Sequence, residues 1–238
     1  MTNRIDTTLR AVRAAGTPAL VPFVTVGFPD VETSRAMAEA ILRSGADMLE
    51  LGIPFSDPLA DGATIQMASF RALEHGVSVR TALDVLDSLR SGGIDAPLIF
   101  MGYFNPFLRY GVERFVGDAA KAGLDGIIVP DLPPEEAGPF KDLCAAQGIY
   151  LIPLLAPTSP DRRIAQACKE ARGFIYCVSL TGVTGARRTL GSGVADLVGR
   201  IRRHTDLPVL VGFGVSRREH VETIGRFADG VVVASALL

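Results

Sequence analysis

Short apolar runs rich in β-branched residues recur along the chain, separated by stretches whose apolar positions repeat with a helical period. Runs that are apolar on both faces suit parallel strands covered on each side by helices. Eight stand out: Ala19–Val26, Asp47–Leu51, Pro97–Met101, Gly126–Val129, Ile149–Pro153, Gly173–Val178, Pro208–Val211 and Asp229–Val233. Between them, Glu32–Ser44 sets Ala36, Ala40 and Ile41 on one face, as an amphipathic helix does. The same period runs through Val77–Arg90, Val112–Lys121, Glu135–Gln147, Pro160–Ala171 and Gly193–Arg203. Thr64–Glu74 inserts an extra helix between the second and third strands. Turns such as Ser44-Gly45-Ala46-Asp47 and Ala122-Gly123-Leu124-Asp125 stop the helices.

Eight strands in strict alternation with helices, with no linker among the 238 residues, predict an α/β protein of the (β/α)8 TIM-barrel class. Residues 1–238 are read as one barrel domain, with a doubly wound open sheet as the alternative. Only five residues follow the eighth strand, so the C-terminal closing helix is expected to be missing or truncated.

Composition narrows the class. Apolar residues make up 48% of the chain, which excludes a disordered protein. Twenty-four Lys and Arg against 26 Asp and Glu leave a charge of −2, so nothing draws the whole molecule to nucleic acid or anionic lipid. Three cysteines suit a reducing compartment rather than a disulfide framework. No signal-like stretch begins at Met1 and no apolar run is long enough to span a bilayer, so a cytoplasmic protein is expected.

Barrel chemistry sits at the C-terminal ends of strands. In Met48-Leu49-Glu50-Leu51, alternation puts the leucines on one face and Glu50 on the other. If the leucines meet helices, Glu50 points into the barrel mouth, where desolvation would raise its pKa towards neutrality and suit general acid/base work. The alternative is a carboxylate paired to an inward Arg or capping a backbone group. Asp61 is either a second carboxylate at the mouth or the N-cap of the helix that follows, and Asp57 is a cap or a turn. Gly212-x-Gly214 and Ser235 occupy places where barrels bind phosphate through backbone N–H groups, to which Gly182 and Gly185 could add amides; the alternative is simple turn chemistry. Lys121, Lys141 and Lys169 all fall in helical segments, so no Schiff-base lysine is expected at a strand end. His75, His204 and His220 make no metal-spaced cluster, and Cys177 reads as a core residue. No metal is expected.

Glu50-Leu51-Gly52-Ile53-Pro54-Phe55-Ser56-Asp57-Pro58-Leu59-Ala60-Asp61-Gly62 closely resembles the signature of the tryptophan synthase α-subunit family. Pro22-Phe23-Val24-Thr25, Met101-Gly102-Tyr103-Phe104-Asn105-Pro106, Val129-Pro130-Asp131-Leu132-Pro133, Tyr176, Gly182-Val183-Thr184-Gly185 and Gly212-Phe213-Gly214-Val215 extend the resemblance over essentially the whole chain. It implies retro-aldol cleavage of indole-3-glycerol phosphate to indole and glyceraldehyde 3-phosphate, late in tryptophan biosynthesis. On that resemblance Glu50 is the acid and base, Asp61 holds the indole N–H, and Tyr176 positions Glu50 and the substrate. Phe23, Tyr103 and Phe213 would line the indole pocket, and Thr184, Gly185, Gly214 and Ser235 would complete the substrate site at the phosphate. The resemblance also implies an α2β2 complex in which pyridoxal phosphate belongs to the β subunit and this chain carries no cofactor. Asp57, Pro58 and Asn105 would face that partner.

Three departures from the family pattern stand out: Phe28 where Asp is usual, Ala234 where Gly is usual, and the short segment after the eighth strand. Alternatives to the lyase are a catalytically weak barrel that mainly activates a β subunit, a stand-alone lyase releasing indole, and another phosphate-handling barrel such as a sugar-phosphate epimerase.

Overall fold

The structure, a computed structural model, describes residues 3–178, 193–212 and 214–238. In chain order the elements are α1 (Arg4–Ala15), β1 (Ala19–Thr25), α2 (Val31–Arg43), β2 (Leu49–Gly52), α3 (Ala63–Glu74), α4 (Val79–Ser91), β3 (Leu98–Met101), α5 (Phe104–Tyr110), α6 (Val112–Ala122) and β4 (Gly126–Ile128). There follow α7 (Gly138–Ala146), β5 (Tyr150–Ile152), β6 (Leu154–Leu155), α8 (Asp161–Glu170), β7 (Ile175–Val178), α9 (Gly193–Arg202), β8 (Val209–Gly212), α10 (Arg218–Ile224) and β9 (Gly230–Val233). All strand pairings among the described residues are parallel, in the order β5-β4-β3-β2-β1-β9-β8-β7-β6.

The ring closes through one residue. The fifth run expected from the sequence, Ile149–Pro153, holds β5 alone, and β6 follows it as a separate strand because Pro153 between them has no N–H to keep the ladder going. Before the break, β5 pairs with β4; after it, β6 pairs with β7, and the Pro153 carbonyl accepts from Tyr176 N at 3.0 Å. A nearly closed TIM barrel results, with nine strands where the pattern suggested eight.

Alternation sorts side chains into two shells. Val21, Phe23, Ile99, Ile128, Tyr176 and Leu210 form an inner cluster, while Val24, Leu49, Leu51 and Phe100 pack outward with helices. Three helices were not apparent from the pattern. Helix α1 is capped by Asn3, whose side chain accepts from Ile5 N, and it carries Ile5, Leu9 and Val12 into the inner cluster from the N-terminal end of the strands. Helix α5 follows β3 directly and tolerates Pro106 because the first turn has no intrahelical N–H partners to lose. Helix α10 has only seven residues, too few to show a clear period. After β9, residues 234–238 make a turn in which Leu237 N donates to Ala234 O, so no closing helix is seen in them. Outward-facing Leu20 on β1 is exposed. No helix among the described residues is long and apolar enough to cross a membrane.

Candidate functional site

Leu49 and Leu51 pack into the outer cluster, so Glu50 between them turns inward. It pairs in register with Phe23 on β1 and Ile99 on β3. Its exposure is 0%, and neither carboxylate oxygen has a hydrogen-bond partner among the described residues. The ion pairs seen among those residues do not include it, so the alternative of an inward Arg partner finds no support. A charge without partner or water is strongly disfavoured, and burial pushes the Glu50 carboxyl up to about 8.

Asp61 is not the cap of α3. Gly62 holds that place and no side chain bonds the first turn. The loop folds by its own backbone instead, with Leu59 N donating to Asp57 O and Asp61 N to Pro58 O. Its geometry presents the Asp61 carboxyl to Tyr103, whose hydroxyl accepts from Ala60 N at 2.8 Å and donates to Asp61. Burial raises the Asp61 carboxyl to about 6, with the Tyr103 hydrogen bond pulling the other way. Tyr103 is itself fixed against Phe55, ring centroids 5.1 Å apart. Phe23, Asp61, Ile65, Ser69, Met101 and Tyr103 line one narrow cleft. Ile65 and Ser69 come from α3, which the sequence marked only as an extra helix.

Tyr176 on β7 is buried, and burial, with the nearby Glu50 and Asp61 carboxylates, drives its phenol well above the ordinary value. It therefore stays a neutral hydroxyl. Two glycines make room for the aromatic rings. A methyl on Gly212 would lie 2.1 Å from the Tyr176 hydroxyl, and one on Gly52 would lie 2.2 Å from the Phe23 ring. Gly214 and Ser235 follow β8 and β9, exposed at the same end of the barrel. Thr184, Gly185 and Phe213 lie outside the described residues.

The expected partner residues are at the surface of that end. Asp57 is exposed and accepts from the Ser56 hydroxyl at 2.6 Å, Pro58 is half-buried, and Leu59 beside them is 88% exposed. Asn105 is exposed in the first turn of α5, whose Phe104 N–H is satisfied by Asp131 from the loop after β4. The three lysines sit on α6, α7 and α8 in the outer ring. Cys177 is buried in the outer shell, where desolvation pushes its thiol up to about 12.

Comparison with known proteins agrees with this geometry. The family described as "Tryptophan synthase alpha chain" matches residues 9–238. The tryptophan synthase alpha chain of Roseiflexus sp. (strain RS-1) is 52% identical over 236 residues, covering 99% of this chain and 90% of that one. That of Chloroflexus aggregans is 51% identical, covering 99% and 88%. Among solved structures, a Mycobacterium tuberculosis tryptophan synthase superposes with a TM-score of 0.93 at 40% identity, covering 100% of this chain and 90% of that one. The alpha chain of Legionella pneumophila superposes with a TM-score of 0.91 at 37% identity, covering 100% and 87%.

Proposed function

The chain belongs to the tryptophan synthase alpha chain family and is thus a lyase of tryptophan biosynthesis, and we propose that it cleaves indole-3-glycerol phosphate to indole and glyceraldehyde 3-phosphate by retro-aldol chemistry. One observation carries this: two carboxyl groups face one barrel mouth in unlike surroundings, Glu50 fully buried with no partner among the described residues and Asp61 lining the cleft beside Tyr103, which favours the acid in the first and the anion in the second. With a pKa of about 8, Glu50 is mostly the acid at pH 7; with about 6, Asp61 is mostly the anion.

Each group then has work suited to its state. Glu50 delivers its proton to indole C3, which leaves the ring iminium-like and able to accept an electron pair. Its carboxylate next takes the proton of the hydroxyl on the carbon bonded to C3. The carbon–carbon bond breaks, its electron pair returns to the ring, the aldehyde forms, and Glu50 is again protonated. Asp61 accepts the indole N–H and stabilises the positive charge that develops on the ring, in a cleft where such an interaction is stronger than in water. Phe23, Met101 and Tyr103 supply apolar and aromatic walls for the ring. The neutral Tyr176 hydroxyl is a donor and acceptor beside both carboxyls. Gly185, Gly214 and Ser235, with Thr184, are assigned to the phosphate end, and Phe213 to the indole pocket, from the family pattern.

The substrate's own ring acts as the electron sink, which suits a mouth without a lysine. A tryptophan synthase β chain is the partner that family membership implies, and the α2β2 assembly, with pyridoxal phosphate on the β chain, is part of this proposal. Asp57, Pro58 and Asn105 are the surface assigned to it. A cytoplasmic location belongs to the same proposal.

The test is indole release from indole-3-glycerol phosphate by wild type, Glu50→Gln and Asp61→Asn. Removing the acid/base should cost roughly 10²–10⁴-fold, and Asp61→Asn should lower kcat by about 10²-fold. Wild-type kcat/KM should follow a bell in pH, falling below about 6 as Asp61 protonates and above about 8 as Glu50 ionises. Full activity in Glu50→Gln would rule the mechanism out.

A further inference from the structure

Three buried side-chain atoms have no hydrogen-bond partner among the described residues: the two carboxylate oxygens of Glu50 and the hydroxyl oxygen of Thr25. They sit on adjacent strands. Thr25 is the last residue of β1, two positions beyond inward Phe23, and it pairs in register with Gly52, two positions beyond Glu50. Alternation therefore turns Thr25 into the barrel, one layer nearer the mouth than Glu50. Gly52 opposite brings no side chain to meet it. Thr25 is 0% exposed, as Glu50 is.

A hydroxyl buried without a partner has given up its bonds to water and gained none in return. Valine has nearly the same shape and would fill the place without that loss. A hydroxyl kept there fits a ligand that supplies the missing bond. The order of strands indicates which part of the ligand. Strand β1 lies between β2, which carries Glu50 and leads to Asp61, and β9, which leads to Ser235. A substrate with its ring by β2 and β3 and its phosphate by β8 and β9 must lay the intervening three-carbon chain past the end of β1.

We propose that the Thr25 hydroxyl binds a hydroxyl of the substrate's glycerol chain, so that Thr25 selects a hydroxylated linker between ring and phosphate. The proposal rests on indole-3-glycerol phosphate being the substrate. A threonine hydroxyl both donates and accepts, so it meets either polarity the chain offers. Holding one chain hydroxyl at the layer above Glu50 also limits rotation of the chain and keeps the reacting hydroxyl over the carboxyl.

The experiment compares wild type, Thr25→Val and Thr25→Ser in three measurements: kcat/KM for indole-3-glycerol phosphate, calorimetric Kd for indole-3-propanol phosphate, which lacks both chain hydroxyls, and the thermal unfolding midpoint. Thr25→Val should unfold at or above the wild-type temperature and bind the dehydroxylated analogue as wild type does. It should lose about 3- to 10-fold in kcat/KM, the worth of one neutral hydrogen bond, and Thr25→Ser should recover most of it. Unchanged kcat/KM in Thr25→Val would overturn the proposal. So would an equal loss of affinity for the analogue, since that would show packing rather than hydrogen bonding. Failure of wild type to release indole at all would instead overturn the substrate assignment beneath it.

Discussion

A carboxyl group flanked by Phe23 and Ile99, with no cation or donor bound to it among the described residues, leaves a thermodynamic trace beyond catalysis. The folded pKa of Glu50, about 8, lies above its ordinary 4.5, so the folded state holds an extra proton between those values. Stability from this group is complete below about 4.5 and is lost as pH rises towards 8. Raising the pH from 6 to 8 should therefore cost wild type about 2 kcal/mol that Glu50→Gln does not lose. Asp61 does not disturb the comparison, because it is ionised over most of that interval whether folded or unfolded. Urea unfolding of both proteins at the two pH values measures the difference; parallel behaviour would mean that Glu50 is solvated. Much of this residue was legible in Met48-Leu49-Glu50-Leu51, since strand alternation alone turns it away from the leucines. Asp61 was not, because Asp61-Gly62-Ala63-Thr64 reads equally well as a helix cap. Only the placement of Tyr103, forty-two positions on in the chain, decides between the two.

At the scale of elements, the mouth is held in shape from the opposite end of the barrel. Asp125, buried just before β4, accepts from Leu98 N at 2.9 Å and pairs with Arg90 of α4 and Arg4 of α1. Arg90 directs three further N–H donors to the carbonyls of Gly123, Ile94 and Ala96. Asn3 donates to the carbonyls of Asp125 and Gly148, and Tyr150 on β5 donates to Asp6 of α1. This network clamps α1, α4, β3 and β4 together and lets Ile5 close the barrel floor beside Gly126 and Gly173. Asp125→Ala would leave the Arg90 guanidinium partly buried and unpaired, a change expected to cost about 3–5 kcal/mol. Equilibrium unfolding in urea should show that loss, and a cost under 1 kcal/mol would mean the clamp is dispensable. None of these pairings could be read from the chain, because ion pairs between distant elements leave no periodic signal. The break at Pro153 was legible in principle, since a proline in a central strand removes a ladder bond.

At the scale of the whole molecule, the barrel class was accessible because parallel strands covered on both faces must be apolar throughout, and few other folds repeat that eight times. What escaped the pattern were the pieces that do not alternate: α1 across the floor, α5 after β3 and short α10. Exposed Leu59, beside Asp57 and Pro58, makes the mouth the surface to test for partner binding. Mixed with a tryptophan synthase β chain, the protein should co-elute as a larger species in size-exclusion chromatography, and Asn105→Ala should weaken that association by about tenfold. Co-elution insensitive to Asn105→Ala and to Asp57→Ala would place the contact elsewhere. The proposed mechanism depends on the protonation state of one side chain, and a difference titration reads it directly. With glutamate side-chain carboxyl groups labelled with carbon-13, the signal present in wild type and missing from Glu50→Gln should titrate near pH 8. A midpoint below pH 5 would show Glu50 ionised throughout the working range, and the acid that protonates the ring would have to be sought elsewhere.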